Sequence, residues 1–293
     1  MKVLAIDIGG TKIALGLVDL STSCLIERTQ IPTPEAQSAE QFAQHILQHC
    51  QGWLPQVNKI GISTTGWVSH AGITSINPDT LSFPAPFPLH RALEALCNKP
   101  VSMLNDAQAA AWYEYLQLDT PIKNIAYVTV STGVGGGLVL NGKLHKGANN
   151  FAGHIGHTVV DINGEPCGCG QTGCVEAIAS GKAIQRQVKK SIQPELGKDV
   201  SNVELFKIAP RNPHAQAIID KSAKAIATLC LNLKASLDLD AIVIGGGIGL
   251  ASGYLAAVAK YVQQSPPPFH VSLYSAKGDY DACLLGAAFQ FME

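Results

Sequence analysis

Residues 2–8 read Lys-Val-Leu-Ala-Ile-Asp-Ile, an apolar run with one late acid, which is the pattern of a strand buried on both faces. Gly9-Gly10-Thr11 then turns the chain, and residues 12–20 return as a second apolar strand. After a turn near 19–23, the alternation over 24–31 predicts a third strand. Phe42, Ile46 and Leu47 fall on one face of a helix predicted over 39–50. A strand and turn follow at 59–66, and the proline-rich 83–88 is expected to be extended. A short helix is predicted at 90–97, a strand at 101–105 and a helix of strong formers at 106–118.

The pattern then restarts. Residues 125–145 repeat the strand, glycine-rich turn and strand of residues 3–18. Helices are expected at about 175–190, 201–209 and 213–237, a strand at 241–247, a helix at 250–264 and an apolar helix at 281–292. A repeat on this scale implies two similar α/β lobes, with the two glycine turns expected to converge on one cleft.

The bulk numbers narrow the classes. With 293 residues, 46% hydrophobic and 15% charged, the chain is an ordinary globular one. A formal net charge of −1 supplies no basic stripe, so no nucleic-acid partner is expected. No apolar run approaches the ~20 residues that cross a bilayer, and Asp7 interrupts the first run before it could serve as a signal peptide. A cytoplasmic protein with no membrane partner is expected. Five of the eight cysteines are scattered; Cys167, Cys169 and Cys174 are clustered, which without a secretion signal points to metal rather than disulfides.

Three turns carry candidate phosphate chemistry. Asp7-Ile8-Gly9-Gly10-Thr11-Lys12 sets a carboxylate at a strand end before residues whose bare backbone N–H groups can approach phosphate oxygens. Asp7 could hold Mg²⁺ through water. The segment 131–137, with Thr132, Gly133 and Gly135, is its counterpart in the second half, and Gly245-Gly246-Gly247 follows a strand where nucleotides commonly lie. Each turn alone could be a plain hairpin; together they favour a nucleotide site. His157, Cys167, Cys169 and Cys174 offer one imidazole and three thiolates, a closed tetrahedral zinc shell with no open position and hence a structural role. The loop 158–174 has too many glycines to bury three unliganded thiols easily. Asp106, at the start of a predicted helix, would by itself be read as an ordinary N-terminal acid.

The motifs Asp7–Lys12, 131–137, Gly153-His154-Ile155-Gly156-His157 and the cysteine-rich 167–181 resemble the ROK family of sugar kinases and repressors, within the actin-like ATPase and hexokinase superfamily. The resemblance runs from Val3 to the last helix. It implies an α/β two-lobed fold with a ribonuclease H-like repeat and a structural zinc loop: residues 1–119 as a small lobe, joined by a C-terminal helix at 281–293, and 120–280 as a large lobe bearing a homodimer contact. It further implies phosphoryl transfer from ATP, with Mg²⁺, to a hydroxyl of an amino sugar, N-acetylmannosamine, with N-acetylglucosamine or glucose as alternatives. Asp106 becomes the general base and Asn105 its sugar-binding neighbour. Gly66, Asn77, His154, His157 and Glu176 become further sugar contacts, His157 through the ring nitrogen not on zinc. Thr65 stands where most relatives have proline. His154 stands where the family's glucose kinases carry glutamate, which disfavours glucose. A family repressor needs a DNA-binding domain before the first strand, and the first motif begins at residue 7, so a repressor is not expected; a catalytically dead sugar sensor is disfavoured by the presence of Asp106, both turns and the cysteine set.

Overall fold

Val3, Leu4, Ala5 and Ile6 are wholly buried in the first strand, β1 (Lys2–Ile8), which lies mid-sheet as its unbroken apolar run requires. The computed structural model describes all residues except 37, 77–83, 120, 279 and 293. Two compact units divide the chain: residues 1–117, 146–152 and 278–293 form the first, and residues 118–145 and 153–277 the second. Residues 146–152, expected in the second lobe, therefore belong to the first unit.

In the first unit β1 pairs antiparallel with β2 (Lys12–Asp19), and β2 with β3 (Cys24–Pro32). On its other side β1 runs parallel to β4 (Lys59–Thr64). A small hairpin, β5 (Trp67–Ser69) and β6 (Gly72–Thr74), follows, and β7 (Val101–Asn105) completes the sheet parallel to β4. The order among the described residues is β3-β2-β1-β4-β7. Helices α1 (Ala39–Gln48) and α2 (Leu89–Cys97) cover one face, and Phe42, Ala43, Ile46, Leu89 and Leu93 are buried against Leu4, Ile6, Ile60 and Ile62. Helix α3 (Asp106–Leu116) starts where β7 ends.

The C-terminal helix (Ala282–Phe289) belongs to this unit and packs on α3, β1 and β4. It comes so near α3 that a Cβ on Gly286 would lie 1.9 Å from the Ala109 carbonyl oxygen, a backbone atom that cannot turn aside. The indole N–H of Trp112 donates to the Phe289 carbonyl at 2.9 Å. Gly286→Ala, which in an exposed helix would gain about 1 kcal/mol, is expected here to lose about 1–3 kcal/mol by overpacking. Thermal melting checks the sign.

The second unit repeats the plan. Here β8 (Ile125–Val130) pairs antiparallel with β9 (Val134–Leu140), which pairs with the short β10 (Lys143–Leu144). Strand β8 runs parallel to β11 (Ala241–Gly245), and β11 to β12 (Ser272–Ser275). The order β10-β9-β8-β11-β12 is that of the first sheet, strand for strand, so each unit carries the ribonuclease H-like arrangement. A core of Val128, Val130, Ile226, Leu229, Ile242 and Ile244 joins this sheet to the helices of the unit. The helix expected over 175–190 is two helices. Helix α4 (Val175–Ala179) stops at Ser180, which is extended and whose hydroxyl accepts from the Ala183 N–H to cap α5 (Gly181–Leu196). Helices α6 (Asn202–Ile208), α7 (Pro213–Leu237), α8 (Gly246–Gly249) and α9 (Tyr254–Gln263) complete the unit. Among the described residues no helix is long and apolar enough to cross a membrane.

Candidate active site

Sheet register assembles the acidic end of the first unit. The parallel pairing of β1 with β4 sets Asp7 beside Ser63, and that of β4 with β7 sets Thr64 beside Asn105. The Ser63 hydroxyl, wholly buried, donates to Asp7 Oδ1 at 2.6 Å, which fixes the carboxylate and leaves its second oxygen available. Burial holds the Asp7 carboxyl above its usual range, and the Ser63 bond opposes that shift. Arg28, on β3, pairs with Asp281 at 2.8 Å just before the C-terminal helix; Asp281 raises Asp7 further and Arg28 lowers it.

Asn105 caps α3. Its side-chain oxygen accepts from the Ala107 N–H at 3.0 Å, and its amide nitrogen donates to the Gly66 carbonyl at 2.9 Å. Gly66, with φ +89°, is thereby tied to the residue expected to share sugar contact with it. Asp106 follows, with Oδ1 accepting from the Ala107 N–H at 2.8 Å. Burial first, and the nearby Asp7 charge second, push its carboxyl up to about 6. Near neutral pH it is ionised yet basic enough to take a proton. Cys283 lies within the field of both aspartates, and burial pushes its thiol well above its usual range. Asn77 lies outside the described residues.

In the first phosphate turn the Gly9 N–H donates to the Lys12 carbonyl at 3.0 Å, and Gly10, Thr11 and Lys12 are exposed. Thr33 braces the turn from behind: its hydroxyl donates to the Gly9 carbonyl at 2.7 Å and its N–H to the Thr11 carbonyl at 3.1 Å.

The second unit holds the other candidates. In the turn between β8 and β9 the Ser131 N–H donates to the Gly133 carbonyl, while the carbonyls of Ser131 and Thr132 accept from Gly181 and Lys182 at the start of α5. The break at Ser180 is what brings those two N–H groups to the turn. Glu176, in the first turn of α4, does something the sequence did not suggest: its Oε2 accepts from the Val134 N–H at 3.0 Å, at the end of that turn. A Cβ on Gly133 would lie 2.6 Å from the same oxygen, so this glycine admits the carboxylate. Thr132 is exposed and Gly135 begins the bare stretch of β9. Gly245 ends β11, while Gly246 and Gly247 open α8, Gly247 with open space at its Cβ position.

The ligand atoms of His157, Cys167, Cys169 and Cys174 all lie within 4.8 Å of one another, with His157 Nδ1 3.6 Å from Cys167 Sγ and Cys169 Sγ 3.8 Å from Cys174 Sγ. Such a set can hold a metal ion. Burial, with the adjoining thiols, pushes Cys174 up to about 12, so only a cation would keep three thiolates here. The loop is less shapeless than its glycines suggest: Val160 and Asp161 both donate to the Gly173 carbonyl, Gly173 to Glu165, and Cys167 to Gln171. His154 precedes a single 3₁₀ turn (Ile155–His157), and burial, with the His157 ring second, lowers it to about 4. It is therefore neutral at pH 7, and a cationic role is removed.

Residues 3–293 match the model of the ROK family. The chain belongs to the ROK family. An N-acetylmannosamine kinase of Vibrio vulnificus (strain YJ016) is 62% identical over 295 residues, covering 100% of this chain and 99% of that one. Among solved structures, a ROK hexokinase from Thermus thermophilus superposes with a TM-score of 0.86 at 31% identity, over 99% of this chain and 97% of that one. A ROK family glucokinase from Streptomyces griseus, in complex with glucose and AMPPNP, superposes at 0.78 with 28% identity, over 98% of each. The fold is thus that of the ROK hexokinases, and the chain is a ROK sugar kinase, a transferase of carbohydrate metabolism. Ser63, Thr33 and Gln108 are the structural residues that motif reading passed over. Each acts by bracing a motif residue from a neighbouring strand or helix turn, and a hydroxyl or amide in that place carries no signature of its own.

Proposed function

We propose that this ROK kinase transfers the γ-phosphoryl group of ATP to the 6-hydroxyl of N-acetylmannosamine. The near end-to-end identity of 62% with the Vibrio vulnificus kinase of that name carries the substrate, and the Thermus hexokinase and the AMPPNP-bound glucokinase support the nucleotide.

Asp106 is the general base. Its Oδ1 is engaged by the Ala107 N–H, which leaves Oδ2 to accept the hydroxyl proton as the new oxygen–phosphorus bond forms and the bond from the γ-phosphorus to the bridging oxygen breaks, ADP leaving. Asp7 is the residue that would hold Mg²⁺ through water: its Oδ1 is fixed by Ser63 and its other oxygen remains to accept from a metal-bound water. Bound Mg²⁺ supplies charge neutralisation on the phosphates. Phosphate contacts are assigned to the Gly9–Lys12 turn, to Thr132, Gly133 and Gly135, and to Gly245, Gly246 and Gly247. Asn105, Gly66, His154, His157 and Glu176 are assigned to the carbohydrate; neutral His154 can donate through one ring nitrogen and accept through the other. The donor set of His157 and the three cysteines fits zinc, which would cross-link the loop and leave no open coordination position.

A coupled ADP-release assay across N-acetylmannosamine, N-acetylglucosamine and glucose is expected to give the highest kcat/KM with the first, by at least about 10-fold, the discrimination that one well-placed polar contact supplies. A higher value for glucose would move the chain to the glucokinase branch.

A further inference from the structure

Gln108 occupies a position that the functional assignments above leave unused, in the first turn of α3 and two residues beyond Asp106. Its side chain is almost wholly enclosed, with 1% of the residue exposed. A buried primary amide must be satisfied on both ends, and this one is satisfied in two directions. Its Oε1 accepts from the Asn105 N–H at 3.2 Å, closing a reciprocal cap on α3 with the Asn105 side chain. Its Nε2 donates to the Ala152 carbonyl at 2.7 Å and reaches the Asn150 carbonyl at 3.5 Å.

The second bond goes to residues 146–152, a short stretch that interrupts the second unit's sequence to join the first. That stretch closes on itself, the Ala152 N–H donating to the Lys146 carbonyl at 3.0 Å. Trp67, adjacent to Gly66, holds its other side: the indole N–H donates to the Asn149 carbonyl at 2.8 Å, and the ring meets Phe151 edge-on with centroids 5.8 Å apart. Three carbonyls and one ring of a single short loop are thus gripped by two side chains, one beside Gly66 and the other in the first turn after Asp106. In sequence the loop runs directly into Gly153 and His154.

We propose that Gln108 is a positioning residue for sugar binding: one amide fixes both the Asn105–Asp106 cap and the loop that Trp67, beside Gly66, holds from its other side. It touches no reacting atom. It sets the place of Asn105 directly and, through the loop and Trp67, that of Gly66, two groups assigned to the carbohydrate, and to that extent it rests on the sugar-kinase reading above. No turn assigned to phosphate receives a bond from it, so its effect belongs to the sugar and not to the nucleotide.

Two variants separate the two ends of the amide. Gln108→Glu keeps an acceptor for the Asn105 N–H but has no donor for Ala152 when ionised; Gln108→Met has neither. Because a displacement of about 1 Å can cost as much as 100-fold, KM for N-acetylmannosamine is expected to rise by about 10-fold in both variants, with KM for ATP within about twofold of wild type. Only Gln108→Met, which also frees the cap, is expected to lower kcat as well. Hydrogen exchange gives a readout independent of the substrate: the Ala152 amide and its neighbours in 146–152 are expected to exchange at least about 10-fold faster in both variants, since their protection is local. Faster exchange in that loop with no sugar phosphorylated by the wild type would overturn the substrate reading while leaving the brace. Unchanged exchange there, or KM values for sugar and ATP that rise together in step with a loss of Tm, would overturn the brace itself.

Discussion

Asp106→Asn is expected to lower kcat by about 10³-fold, within the 10²–10⁴ range that a positioned base contributes, while the protein becomes more stable. Both halves follow from one environment. Asparagine keeps an oxygen for the Ala107 N–H and so keeps the start of α3, but it has no lone pair basic enough to take a hydroxyl proton. The carboxylate it replaces is raised to about 6, by burial first and by Asp7 second. Its folded value exceeds its unfolded one, so the folded state binds the proton more tightly, and stability is lost as pH rises through the interval from about 4 to about 6. Above that interval the ionised side chain is a standing cost, which asparagine removes. A pKa unit corresponds to about 1.4 kcal/mol, and the partial exposure of Asp106 discounts the shift, so a gain of about 1 kcal/mol and about 2–3 °C in Tm is expected at pH 8. The gain should shrink as pH falls and vanish below about pH 3, where the carboxyl is neutral in the folded and the unfolded chain alike. The wild-type kcat/KM should fall on the acid side with an apparent pKa near 6, as the base of the free enzyme is protonated. A variant that retains wild-type kcat would remove Asp106 from its role; one that is less stable at pH 8 would show that the carboxylate is held by partners rather than strained by burial.

Much of this was written in the sequence where one residue type can serve one physical need. An unbroken apolar run ending in an acid could only be a central strand with a carboxylate at its tip, and β1 with Asp7 is that element. The repeat of strand, glycine turn and strand announced two equivalent sheets, and the strand orders agree. The cysteine spacing announced a ligand cluster because three thiols and an imidazole in a glycine-rich loop have few other uses. What stayed hidden depends on contacts between distant segments. Strand β12 is short and largely exposed, its pattern set by pairing with β11 rather than by its own residues. The break at Ser180 falls inside a run that favours helix, and it is decided by the Gly181 and Lys182 N–H groups reaching the Ser131 and Thr132 carbonyls. Gly133 reads as a phosphate glycine, yet the carboxylate of Glu176 stands against it, so one residue answers to a neighbour as well as to a ligand. No periodicity could reveal that Ser63 would lie beside Asp7, because the parallel register of β1 and β4 is fixed by the whole sheet.

Cys174→Ser is expected to have the largest effect on stability, and to reach catalysis by a traceable route. Cys174 is wholly buried, and the chain passes directly from it into α4, where Glu176 holds the Val134 N–H. Zinc bound by the three thiolates and His157 would fix the start of that helix, and α4 would in turn fix the turn between β8 and β9. Zinc-finger peptides draw about 10–16 kcal/mol from such a site because they have no other structure. Here the loop keeps backbone bonds of its own, from Val160, Asp161, Cys167 and Gly173, so a smaller loss is expected, of about 3–5 kcal/mol, the range for removing a structural cross-link or breaking a buried charged cluster. Serine is nearly the size of cysteine but its hydroxyl stays protonated and hard, a poor ligand for zinc. The purified wild type should contain one zinc per chain by elemental analysis and Cys174→Ser much less. The variant should melt at least about 5 °C lower, as a loss of a few kcal/mol implies for a chain of this length. Its KM for ATP should rise as the turn at Ser131–Val134 loosens. Cys24→Ser, which alters an exposed thiol outside the cluster, should change none of these. A metal-free wild type with the stability and turnover of the metal-loaded protein would dissolve the chain of dependence from Cys174 through Glu176 to Val134, and the cluster would then be three unliganded thiols, two of them buried, beside a histidine.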